Sequence, residues 1–116
     1  MHELALAQQM LNVLLKTAQE NEIKKIALVK ILAGEMMAVV PDALEFAFRV
    51  ISQDTKADGA TLLIEEVKAL VRCPRCSKEY AWSQHGYNCP SCGFTGGELV
   101  QGRHLLIDYF EGEEVD

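Results

Sequence analysis

No run of basic residues interrupts this 116-residue sequence, and its formal net charge is −6. Proteins that hold DNA or RNA draw affinity from clustered Lys and Arg on phosphates, so the chain is not expected to bind nucleic acid. A mildly acidic surface suits gathering cations, although it is more often simply a soluble one. Nor does any apolar stretch approach the ~20 residues that a membrane-spanning helix needs. Met1-His2-Glu3 lacks the basic opening of a secretory signal, so a cytoplasmic protein without a membrane partner is expected. A nucleophile–base constellation, a phosphate-cradling glycine loop and an open catalytic metal site are also missing, which argues against an enzyme. No internal repeat or low-complexity segment is present. What the sequence does contain is 49% hydrophobic residues and four cysteines in two close pairs. That is enough for one compact domain plus a small metal-stapled module. In a reducing compartment, such pairing points to metal rather than disulfides.

Leu4, Ala7, Met10, Leu11, Leu14, Leu15 and Ala18 recur at helical spacing, which predicts an amphipathic helix ending near Asn21. Residues 25–32 are rich in β-branched and apolar residues, are closed by Gly34, and read as a strand. Pro41-Asp42 opens a second helix, with Leu44, Ala47, Phe48 and Ile51 on one stripe. After the Asp58-Gly59 turn, residues 61–72 read as one strand. Residues 99–110 read as another, with Glu111 to Asp116 as a frayed acidic tail. The expected fold is α+β: a three-stranded sheet with two helices on one face and an inserted zinc-ribbon-like domain. The domains are then 1–72 with 97–116, and 73–96.

Cys73-Pro-Arg-Cys76 and Cys89-Pro-Ser-Cys92 are two C-x2-C knuckles separated by 12 residues. Two residues within each pair let both thiolates turn toward one ion at about 2.3 Å. Four thiolates fill a tetrahedral shell and leave no position for a substrate, so the site is expected to be structural. Zinc is the preferred metal; iron uses the same ligand set, and spacing does not separate the two. Gly93 suits the left-handed turn after the second knuckle, where the first has Ser77. Tyr80 and Trp82 are expected to cover this unit. His85 between the pairs is expected at the surface, His104 half-buried in the last strand, Glu35 as a solvated loop carboxylate and Met36-Met37 as edge packing.

At the other end, the α-amine of Met1 with the backbone nitrogen and imidazole of His2 forms two fused chelate rings around one metal. The amide or carboxylate of Glu3 completes four coordination, and nitrogen-rich tetragonal geometry favours Ni(II) or Cu(II). Amines titrate near ~8 and imidazoles near ~6.5, so a chelate of this type weakens as pH falls. Read alone, Met-His is better taken as a solvated terminus, with Glu3 serving the helix dipole.

These features occur together. Met1-His2-Glu3 runs straight into a helix, and Gly34-Glu35 follows the first strand. Residues 43–48 (Ala-Leu-Glu-Phe-Ala-Phe) open the second helix, and Asp58-Gly59-Ala60 leads toward Cys73 and the paired knuckles. In this combination the whole sequence resembles the hydrogenase maturation nickel chaperones of the HypA/HybF family. The resemblance implies a nickel-binding α/β domain with His2 as the essential ligand, flanked by the Met1 amine and Glu3. It implies zinc on Cys73, Cys76, Cys89 and Cys92. It further implies delivery of Ni(II) to the large subunit of [NiFe] hydrogenase with a GTPase partner of the HypB type, by a monomer or weak homodimer. A zinc-ribbon protein-interaction adaptor without nickel function is the alternative, and the acid excess disfavours it.

Overall fold

The computed structural model describes residues 2–114, so the Met1 call lies outside the described residues. In chain order the elements are α1 (Glu3–Glu20), β1 (Ile23–Gly34), a 3-10 turn (Glu35–Met37), α2 (Pro41–Ile51), β2 (Thr61–Val67), β3 (Leu70–Arg72), β4 (Glu79–Ala81), α3 (Trp82–His85), β5 (Glu98–Gln101) and β6 (Leu105–Glu114). The fold is α+β, and its contacts divide it into two compact units. The first comprises residues 1–32, 39–65 and 106–116, and the second comprises residues 33–38 and 66–105.

In the first unit, Ala7, Met10, Leu11, Leu14 and Ala18 form the buried stripe of α1. Pro41 sits in the first turn of α2, where its missing N–H costs nothing, and Asp42 and Arg49 match the two ends of the dipole. Phe48 is 2% exposed, whereas Phe46, on the opposite face, is 63% exposed. The two helices pack on each other. The sheet of this unit is ordered β2-β1-β6. Ile26, Val29 and Ile31 of the central strand are fully buried, while the residues between them are exposed or half-buried.

The second unit is built on a smaller sheet ordered β4-β3-β5. Leu70 pairs with Ala81, Val71 with Tyr80 and Arg72 with Glu79, all antiparallel. On its other side β3 pairs antiparallel with β5, with a bulge between Leu70 and Val71.

Several expected boundaries are corrected. The single strand over residues 61–72 is two strands interrupted at Lys68-Ala69, and the second of them belongs to the other sheet. The strand over residues 99–110 is likewise two, parted by a turn in which Gly102 adopts φ +96°. Residues 111–114 are not frayed: they extend β6, and Lys24 pairs with Glu113 across the strands at 3.8 Å. In the second unit, Val71 and Leu99 pack with the buried cysteines.

Candidate metal centres

The cysteines sit on two turns with the same backbone plan. In the first, the N–H of Ser77 donates to the Cys73 carbonyl at 2.8 Å, and the N–H of Cys73 donates to the Lys78 carbonyl at 2.9 Å. In the second, Gly93 donates to Cys89 at 3.0 Å, and Cys89 donates to Phe94 at 2.9 Å. Each turn closes through a left-handed residue, Ser77 at φ +66° and Gly93 at φ +77°. Cys73 and Cys89, the first members of each pair, are buried, and Cys76 and Cys92 face out. Behind them stand Val71 and Tyr80, with Trp82, Phe94 and Leu99 packed against the cluster, as expected for Tyr80 and Trp82.

The four sulfur positions all lie within 4.8 Å of one another. Cys73 Sγ and Cys92 Sγ are 3.5 Å apart, as are Cys76 Sγ and Cys89 Sγ. Sulfurs about 2.3 Å from a tetrahedral zinc stand roughly 3.8 Å from each other, so the cage has the size for that ion. All four corners are thiolate, which fits structural rather than catalytic zinc.

Backbone N–H groups bias two of the four sulfurs toward thiolate. The Cys92 N–H points at Cys89 Sγ at 3.5 Å. With help from the Ser91 N–H and against burial, it brings the Cys89 thiol down to about 6. Burial pushes Cys73 up, but the N–H groups of Cys76 and Arg75 outweigh it and leave this thiol below its ordinary range. The Lys78 N–H favours a thiolate at Cys76, yet the neighbouring Cys89 sulfur and burial override it and raise Cys76 to about 11. Cys92 is raised in the same way: the Phe94 N–H favours its thiolate, and the Cys73 sulfur and burial outweigh it. The buried sulfurs thus favour thiolate and the outer two retain protons until a cation replaces them.

At the other end, His2 is the N-cap residue of α1, in extended conformation, and its side chain makes no capping bond. It is exposed. Its carbonyl accepts the first helical bond, from Leu6 N at 3.1 Å. The Glu3 carboxylate accepts from Val40 N, the residue that opens α2, at 3.4 Å. The sequence held no signal for that contact across 37 positions. Neither of the remaining histidines belongs to the four-cysteine cluster. The His85 ring packs edge-on against Tyr80, with centroids 5.9 Å apart. His104 lies outside the last strand and is exposed, rather than half-buried within it. Glu35 departs from the expectation of a solvated loop carboxylate: its Oε1 accepts from Ala69 N at 2.8 Å.

A small α+β fold carrying a four-cysteine cage, with an exposed His2 at the head of its first helix, has the features of a metal-handling protein. Residues 1–112 match the family described as "Hydrogenase/urease nickel incorporation, metallochaperone, hypA". The chain is 38% identical over 113 residues to the hydrogenase maturation factor HypA of Moorella thermoacetica, covering 97% of this chain and all of that one. It is 37% identical to the HypA of Geotalea uraniireducens over the same length, again covering 97% of this chain and all of the relative. In fold it matches the solution structure of the Ni metallochaperone HypA from Helicobacter pylori, with TM-score 0.76 and 21% identity over 99% of this chain and 100% of that one. The chain belongs to the HypA family of nickel-incorporating metallochaperones for hydrogenase maturation. No helix among the described residues is long and apolar enough to cross a membrane.

Proposed function

We propose that this chain binds Ni(II) at its N-terminus and delivers it in the cytoplasm to the large subunit of [NiFe] hydrogenase, together with a maturation GTPase of the HypB type. The observation that carries this reading is His2: an exposed imidazole at the head of α1, free of any capping role, in a chain that matches a nickel-incorporation family from its first residue. The first N–H groups of a helix have no intrahelical acceptor, so α1 does not consume the amides of His2 and Glu3. With the Met1 amine and the His2 imidazole they make a square of nitrogens suited to Ni(II). The Glu3 carboxylate is held toward Val40, which leaves the Glu3 amide as the better fourth donor.

Such a chelate suits a carrier. It is at the surface, and its ligands can be exchanged one at a time for those of a receiving protein. The first unit then handles cargo, while the second, with zinc on Cys73, Cys76, Cys89 and Cys92, holds its own shape and offers a partner a rigid surface. The second unit encloses the 73–96 segment, and the nickel domain takes most of the remaining chain.

The test is complementation in a host that needs [NiFe] hydrogenase and lacks its own family member. The native chain should restore hydrogenase activity in nickel-poor medium. His2→Ala should fail there and recover when nickel is supplied in excess. Equal rescue by both proteins in nickel-poor medium would overturn the reading.

A further inference from the structure

Ala69 is the buried point where β2 ends and β3 begins, at 1% exposure, and every polar atom of its backbone is taken. Its N–H donates to Glu35 Oε1 at 2.8 Å. Its carbonyl accepts from Trp82 N at 3.0 Å. The preceding carbonyl, of Lys68, accepts from Gln101 Nε2 at 2.8 Å. Gly102 lies so close that a Cβ there would stand 2.6 Å from Ala69 Cα. Glu35 is itself fixed, because Met36 N donates to the Gly102 carbonyl and Gly34 N to that of His104, both at 2.9 Å. The carboxylate therefore reaches Ala69 from a clamped backbone. Only three residues separate Ala69 from the first zinc ligand, Cys73.

We propose that Glu35 is a positioning residue for the zinc centre. Its carboxylate pins Ala69 and so sets where β3 starts, and β3 presents Cys73 to the other three sulfurs. Without the pin, the Ala69 N–H is a buried donor without an acceptor, which a chain avoids by pulling that residue outward. Leu70, Val71 and Arg72 would then leave their partners in β4, and Cys73 would move with them. A charge-assisted acceptor makes the stronger kind of hydrogen bond, so its loss should be felt. This role is independent of nickel and does not rest on the function proposed above.

The experiment uses the full-length, zinc-loaded chain with Glu35→Ala, Glu35→Asp and Glu35→Gln. Two quantities are read: the amide exchange rate of Ala69, and the rate of zinc loss to an excess of a chromogenic chelator. Alanine lacks the acceptor, and aspartate keeps the charge but is one methylene too short. Both should speed Ala69 exchange and zinc loss by about tenfold. Glutamine keeps an oxygen at the right reach and should remain within about threefold of the native chain. Exchange at Ile26, Val29 and Ile31 should stay unchanged in all three. Native rates in the alanine and aspartate variants would overturn the proposal. So would a glutamine variant as fast as alanine, or a rise at Ile26, Val29 and Ile31 equal to that at Ala69, which would mark general destabilisation.

Discussion

Cys76 and Cys89 stand 3.5 Å apart, yet their thiols shift in opposite directions, to about 11 and about 6. Backbone N–H groups aimed at Cys89 account for its fall, and a sulfur that is already negative discourages its neighbour from ionising. Zinc takes thiolates alone, so each proton still held competes with the metal. At pH 7 Cys76 and Cys92, both raised, are protonated, and loading zinc should release at least two protons per ion. Below pH 6 Cys89 binds a proton too, so release should rise and zinc affinity should fall more steeply with acid. Calorimetric titration of zinc in buffers of different ionisation heat, at pH 7 and at pH 5.5, reads this directly. Release near zero at pH 7, or no increase at the lower pH, would contradict it. The ligands themselves were legible in the sequence, because C-x2-C spacing is a local property. The contacts of Glu3 with Val40 and of Glu35 with Ala69 were not, because they join positions 37 and 34 residues apart and leave no periodic trace.

Among the elements, the two cysteine turns superpose in plan but not in composition. The second puts glycine in its left-handed position; the first puts Ser77 there, exposed and at φ +66°. A side chain in that region costs about 1–2 kcal/mol, partly offset by the freedom that glycine adds to the unfolded chain. Ser77→Gly should therefore stabilise the zinc-loaded protein by roughly 0.5–1 kcal/mol, a rise of a few degrees in a thermal melt. An unchanged or lower melting temperature would mean that Ser77 is not strained. Both long helices were evident beforehand, since a stripe at 3.6-residue spacing declares itself. The strands were harder. Residues 61–72 and 99–110 each keep a strand-like composition throughout, and composition does not mark where a chain leaves one sheet for another. Lys68-Ala69 and Gly102 make those breaks, and only the close packing of Gly102 against Ala69 explains them.

At the scale of the whole molecule, most of the acidic residues lie in the unit that opens with Met1-His2-Glu3, whereas the unit with the cysteines is nearly balanced in charge. A negative field draws cations toward a surface chelate, and it falls on the half of the chain to which cargo is assigned here. A tetrathiolate suits a metal that stays, while the N-terminal chelate proposed above would suit one that is handed on. On the function proposed above, the chain holds two metals at two separate sites. This is tested most directly by titrating Ni(II) into zinc-loaded protein with a native, untagged N-terminus, beside His2→Ala and an N-terminally tagged form. Heat and the absorption bands of planar Ni(II) report binding, and the zinc content is assayed throughout. About one nickel per native chain is expected, none on either control, and zinc undisturbed in all three. Equal nickel binding by all three proteins, or nickel binding that expels zinc, would contradict the proposal.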